Sequence, residues 1–139
     1  MSAPRISGIL ETALHVEQMR RSVEFYQRVM GLRLLESGER LSVFQIADKQ
    51  VLLLFLRGAT MEPVSTPGGV IPGHGGEGAL HVAFAIPASE LAAWEQHLRA
   101  EGVSLASQVN WPAGGRSLFL RDPDNHLVEL ATPGVWEVY

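Results

Sequence analysis

The chain has 139 residues, of which 46% are apolar and 19% charged, with a formal net charge of −4. That is an ordinary globular composition, sized for one domain or two small packed modules. No basic run marks a nucleic-acid partner and no apolar stretch is long enough to span a bilayer. The absence of cysteine excludes disulfides and thiolate metal sites. The start, Met1-Ser2-Ala3-Pro4-Arg5, lacks the basic, apolar, small-residue order of a secretory signal, so a cytoplasmic location is expected.

Ile6 to Val16 reads as a strand, with Leu10, Thr12, Leu14 and Val16 on one face and Glu11, Ala13 and His15 on the other. A helix over Arg20 to Met30 gathers Val23, Tyr26 and Met30 beside Phe25 and Val29, and Gly31 is placed to stop it. Three strands follow, Leu32 to Glu36, Leu41 to Ala47 and Gln50 to Leu56, with polar turns between them. Arg57 to Gly78 then holds three prolines and seven glycines, a density of breakers expected of a linker, lid or binding loop.

After this loop the first pattern recurs. Ala79 to Ile86 is a strand with His81, Ala83 and Ala85 on one face. Pro87-Ala88-Ser89 opens a helix to about Ala100, with Leu91, Trp94 and Leu98 on one side and Gly102 as its stop. Val103 to Val109, Arg116 to Arg121 and His126 to Ala131 are three more strands, the last two joined by the turn cluster Asp122-Pro123-Asp124-Asn125. The order βαβββ, linker, βαβββ predicts an α+β fold. Two tandem modules, about 6–57 and 79–134, joined by a lid or linker at 58–78, would make a single domain with a half-open, barrel-like sheet around a cleft.

Registering the halves on their last strands lays Leu53 over Glu129 and Arg40 over Arg116; registering the first strands lays Glu11 over His81. Four equivalent corners then face the cleft, three of them metal-ligand types. Glu129 interrupts an otherwise apolar strand, and an unpaired carboxylate there is costly to bury. Two carboxylates and an imidazole suit a divalent ion of intermediate hardness (iron, manganese, zinc, nickel or magnesium), with positions left open for a small-molecule substrate. The competing reading is structural: Glu11 and Glu129 paired with Arg116 or Arg40, and His81 a satisfied core histidine. His15 lies roughly 13 Å along the strand from Glu11, too far to share an ion, and reads as a half-exposed strand-end residue. His74 in the loop and His126 at the start of the last strand are the remaining acid–base candidates; His97 reads as solvated.

The segments SVEFYQRVMGL (Ser22 to Leu32), LHVAFAI (Leu80 to Ile86) and RDPDNHLVELATPG (Arg121 to Gly134) resemble the vicinal oxygen chelate superfamily, the glyoxalase, bleomycin resistance and extradiol dioxygenase group. The resemblance implies paired βαβββ modules, a divalent metal held by Glu11, His81 and Glu129, and a homodimer. It also implies a substrate chelated through adjacent oxygens, with dioxygenase or lyase/isomerase chemistry. Arg116, Ser117, Phe119, His74 and Leu53 are the expected substrate contacts. Leu53 stands where glyoxalase I enzymes carry an acid, which argues against methylglyoxal isomerisation. Ser117 and His126 fit the pattern of fosfomycin-resistance thiol transferases, but Ala13 and Phe119 replace a threonine and a tyrosine of that group. The alternative within the same resemblance is a non-enzymatic, bleomycin-resistance-like protein that sequesters a small molecule.

Overall fold

The computed structural model describes residues 2–139. These fall into two compact units, the first ending at Gly76 and the second spanning Glu77–Tyr139. Among the described residues no helix is long and apolar enough to cross a membrane.

The first unit contains β1 (Glu11–Val16), α1 (Met19–Arg28), β2 (Arg33–Ser37), β3 (Leu41–Ala47) and β4 (Gln50–Leu56). Its four-stranded sheet has the order β1-β4-β3-β2. β1 runs parallel to β4 and the other pairs are antiparallel. Side chains alternate across each strand, and one face supplies the core: Leu14, Val16, Phe44, Leu52 and Leu54 are buried with Phe25, Tyr26, Val29 and Met30 of the helical segment. Tyr26 joins the two layers, its ring 5.1 Å from Phe25 and 6.1 Å from Phe44. The first strand is shorter than expected, because Ile6, Ile9 and Leu10 are exposed and the ladder to β4 starts only where Val51 N–H meets Leu10 O.

The loop after β4 is not featureless. It folds into a small antiparallel hairpin, β5 (Val64–Thr66) and β6 (Gly69–Ile71), around Pro67-Gly68. Its base is pinned by two bonds: His74 N–H donates to Thr60 O at 2.8 Å, and the Thr60 hydroxyl donates to His74 O at 2.6 Å.

The second unit repeats the plan with β7 (His81–Ala85), a 3-10 turn (Ala88–Glu90), α2 (Leu91–Ala100), β8 (Ser107–Asn110), β9 (Arg116–Arg121) and β10 (Leu127–Ala131). The sheet order is β7-β10-β9-β8, again with one parallel pair, β7 with β10. Val82, Phe84, Leu118, Leu120, Val128 and Leu130 are buried with Leu91 and Leu98 of α2. The internal repeat holds to the residue. Glu11 pairs with Val51 as His81 pairs with Leu127, and Ala13 pairs with Leu53 as Ala83 pairs with Glu129.

Gly102 ends α2 with φ +72°. Val103 N–H donates to Leu98 O and Gly102 N–H to Arg99 O, the bond pair of a Schellman cap. A Cβ in this left-handed conformation is strained by about 1–2 kcal/mol. Gly102→Ala is therefore expected to lower the urea-unfolding free energy by about that amount. Gly68→Ala, where φ is not left-handed and the nearest atom to a new Cβ is 4.0 Å away, is expected to stay within about 0.5 kcal/mol of the parent.

Candidate metal and substrate site

β10 is an inner strand of its sheet, so a side chain on its outer face is flanked by both neighbours. Glu129 occupies that position and is only 7% exposed. Its Oε2 accepts a hydrogen bond from the Ser117 hydroxyl of β9 at 2.6 Å, and Ser117 Oγ in turn accepts from Trp111 Nε1–H at 2.8 Å. The chain Trp111–Ser117–Glu129 fixes the carboxylate plane and leaves Oε1 facing β7.

There Oε1 meets His81. The imidazole Nδ1 lies 2.9 Å from Leu127 O. A carbonyl can only accept, so Nδ1 carries a proton and Nε2 is the nitrogen turned toward the carboxylate. Nε2 stands 3.3 Å from Glu129 Oε1. A proton on Nε2 or a cation beside both atoms would satisfy this contact. The spacing is longer than a charge-assisted hydrogen bond, about 2.7–2.9 Å. It matches the roughly 3.0–3.4 Å between two ligands that each sit about 2.1 Å from one ion. A backbone carbonyl behind the ring and a hydroxyl behind the carboxylate are the supports that orient metal ligands. The chemistry of the pair is compatible with a divalent ion as well as with a His–Glu ion pair, and both residues belong to the second unit.

The turn before β10 holds this register. Asp122 Oδ1 accepts from Asp124 N–H at 2.9 Å and His126 N–H at 2.8 Å, and Asn125 takes the left-handed φ of +65° that the tight turn needs. His126 is fully buried, and its Nδ1 accepts from Leu80 N–H at 2.9 Å. It straps the start of β10 to the start of β7, which is a structural task rather than acid–base chemistry.

His81 and Glu129 form the floor of a cavity of about 600 Å³, with Ala83, Ala85 and Ala131 beside them and Phe119, Trp111, Trp136 and Tyr139 around them. Ser117 and Phe119 thus lie on the site's face of β9. Arg116 does not: as their neighbour in a strand it points the other way, with Nη2 3.2 Å from Gln108 Oε1 and 3.9 Å from Glu95 Oε1. It neither lines this cavity nor pairs with Glu129, which corrects the expectation of a substrate contact there. Trp111, Trp136 and Tyr139 were not anticipated, because they lie in irregular segments where no periodicity marks a face.

In the first unit, Glu11, Ala13, Leu53 and His74 line a separate cavity of about 640 Å³ with Arg40 and Phe55. His15 is buried rather than half exposed. The pinned loop brings His74 over it, so His15 packs on Phe55 at 5.8 Å and on His74 at 5.6 Å between ring centroids. Among the described residues, no group of three or more His, Asp or Glu side chains is placed to hold a metal ion.

Residues 8–130 match the sequence profile of the Glyoxalase/Bleomycin resistance protein/Dioxygenase superfamily. The chain is 26% identical over 129 residues to a metallothiol transferase FosB of Shouchella clausii, covering 91% of this chain and 81% of that protein. It is 28% identical to a probable lactoylglutathione lyase of Vibrio cholerae, covering 88% of each. Among solved structures it superposes on a lactoylglutathione lyase from Agrobacterium tumefaciens with a TM-score of 0.86 and 29% identity, over 96% of this chain and 99% of that one.

Removing the Ser117 hydroxyl strands the buried Glu129 Oε2 and the half-buried Trp111 Nε1–H at once. Ser117→Ala is expected to cost about 1–3 kcal/mol of stability in urea unfolding, the penalty for unsatisfied buried polar atoms, and to alter Trp111 fluorescence. Ser107→Ala on an exposed edge position is expected to do neither.

Proposed function

The chain belongs to the Glyoxalase/Bleomycin resistance protein/Dioxygenase superfamily, and on that premise we propose that it is a metal-dependent enzyme acting on a small molecule that presents two adjacent oxygens. The observation that carries the reading is the convergence of His81 Nε2 and Glu129 Oε1 at 3.3 Å, each held from behind. Glu11, the residue equivalent to His81 in the first unit, is the third ligand in this proposal, and the working form is a homodimer.

A divalent ion held there would polarise the substrate's oxygens and stabilise negative charge developing on them. The chain's own residues set the conditions for that chemistry. Ser117 holds one carboxylate oxygen so that the other stays turned toward His81. Leu127 O fixes the histidine tautomer. The alanines at 83, 85 and 131 leave the floor clear for a substrate. Leu53 offers no carboxylate at the fourth corner, and Phe119 offers no hydroxyl. Both replacements support oxygenase or lyase/isomerase chemistry over thiol transfer in this proposal.

Metal content measured by plasma mass spectrometry, on protein purified without chelator or affinity metal, tests this directly. Near-stoichiometric metal in the parent is expected, with loss in Glu129→Ala and in Glu11→Ala. Ser117→Ala is expected to keep the ligands but bind about 10–100-fold more weakly, as removal of an outer support does. A parent that takes up no metal even after reconstitution would overturn the enzymatic reading and leave small-molecule sequestration. A Glu11→Ala protein with parental affinity would remove Glu11 from the ligand set alone.

A further inference from the structure

We infer that the cavity over His81 and Glu129 selects a flat, uncharged ring, and that the turn Gly134–Tyr139 is the wall that makes the selection. The inference deepens the functional reading above by assigning the substrate's class.

The cavity's walls carry the first argument. Phe119 lies 6.4 Å from His81 between ring centroids, tilted by 32°, and Trp111, Trp136 and Tyr139 line the same cavity of about 600 Å³, within the usual size of small-molecule sites. No lysine or arginine is among the lining residues. A substrate bearing a carboxylate or phosphonate away from the reacting oxygens would lose its hydration with no cation to replace it, in the field of Glu129. A flat apolar ring loses little and gains ring–ring contact.

The second argument is the construction of the turn. The Tyr139 hydroxyl lies 3.1 Å from both Ile86 O and Ala131 O, at the ends of β7 and β10, and shares its proton between them. The amides of Gly134, Val135 and Trp136 all donate to Tyr139 O, at 2.8, 3.0 and 3.1 Å. Gly115 N–H donates to Gly134 O at 3.2 Å, and the two glycines approach so closely that a Cβ on Gly115 would lie 2.5 Å from Gly134 C. The turn is thus tied to both strand ends and to the loop that carries Trp111. Yet it holds the Trp136 indole at the cavity with 74% of its surface in water. Folding gains almost nothing from an indole so exposed, whereas a bound ring would cover it.

Three probes separate this inference from the metal reading: phenol, a ring without adjacent oxygens; maltol, a neutral ring with them; and oxalate, an anionic chelator without a ring. Each is titrated into parent, Trp136→Ala, Trp136→Phe and Glu129→Ala protein, with and without chelator, by calorimetry. Trp136 is too exposed for its loss to threaten the fold. Trp136→Ala is expected to weaken phenol and maltol by about 5–10-fold and to leave oxalate unchanged, while Trp136→Phe restores most of the loss. Ring affinity that is equal in the parent and Trp136→Ala, or a parent that binds oxalate but neither ring, would overturn the inference. Phenol binding that survives chelation and Glu129→Ala supports it whatever the metal does. A maltol affinity that neither chelation nor Glu129→Ala reduces would count against the metal reading alone.

Discussion

The second unit is built around a carboxylate buried in the middle of an apolar strand. Leu127, Val128, Leu130 and Ala131 surround Glu129, and an ionised group so placed needs compensation for its lost hydration. A purely structural solution would be an arginine fork. The chain has a nearby arginine, Arg116, but strand alternation turns it to the other face, toward Gln108 and Glu95. What Glu129 receives instead is one neutral hydroxyl on Oε2 and, at Oε1, the Nε2 of His81. A proton on that nitrogen, or a cation beside it, completes the compensation.

The geometry that leaves Oε1 and Nε2 facing one another depends on register, and register depends on the turn before β10. A slip of one residue would send Glu129 to the helix side of the sheet. Asp122 folds the turn by taking two backbone amides, and His126 then takes the Leu80 amide. Leu127 N–H also donates to Leu80 O, so β7 and β10 are stapled one residue before His81. The Asp-Pro-Asp run is therefore conformational in purpose. Its contribution to chemistry is to place His81 opposite Leu127, whose carbonyl fixes the histidine tautomer.

This explains which features were legible in the sequence. Strand periodicity and the internal repeat gave the modules, the Glu11–His81 and Leu53–Glu129 equivalences, and the shared face of Leu127, Glu129 and Ala131, because each follows from a period of two and a local turn. Arg116 was misplaced because it was grouped with Ser117 and Phe119 against that same period. His15 was misjudged because its burial depends on a loop that folds back from residues 60 to 76, a long-range contact that no local pattern encodes. The aromatic wall was invisible for a related reason. Trp111 sits in a turn and Trp136 and Tyr139 in an irregular segment, and only the hydrogen bonds tying Gly134 to Gly115 and Tyr139 to the strand ends bring them to the cavity.

The two units also act as controls for one another. In the ladders, Leu53 pairs with Val43 and Phe55 with Leu41, as Glu129 pairs with Phe119 and Ala131 with Ser117. The first unit therefore carries Leu41 and Leu53 where the second carries Ser117 and Glu129. The hydroxyl is present where the carboxylate is, and both are replaced by leucine together. Had Ser117 served only to solvate an edge or fill space, nothing would tie it to Glu129. A buried hydroxyl facing leucine would be left without an acceptor, and a buried carboxylate facing leucine would lose the Ser117 hydroxyl bonded to its Oε2. The 2.6 Å bond between Ser117 and Glu129 gives the physical reason for finding the two together. The unit that kept it is also the one in which a histidine nitrogen, at the position equivalent to Glu11, is turned toward the remaining carboxylate oxygen.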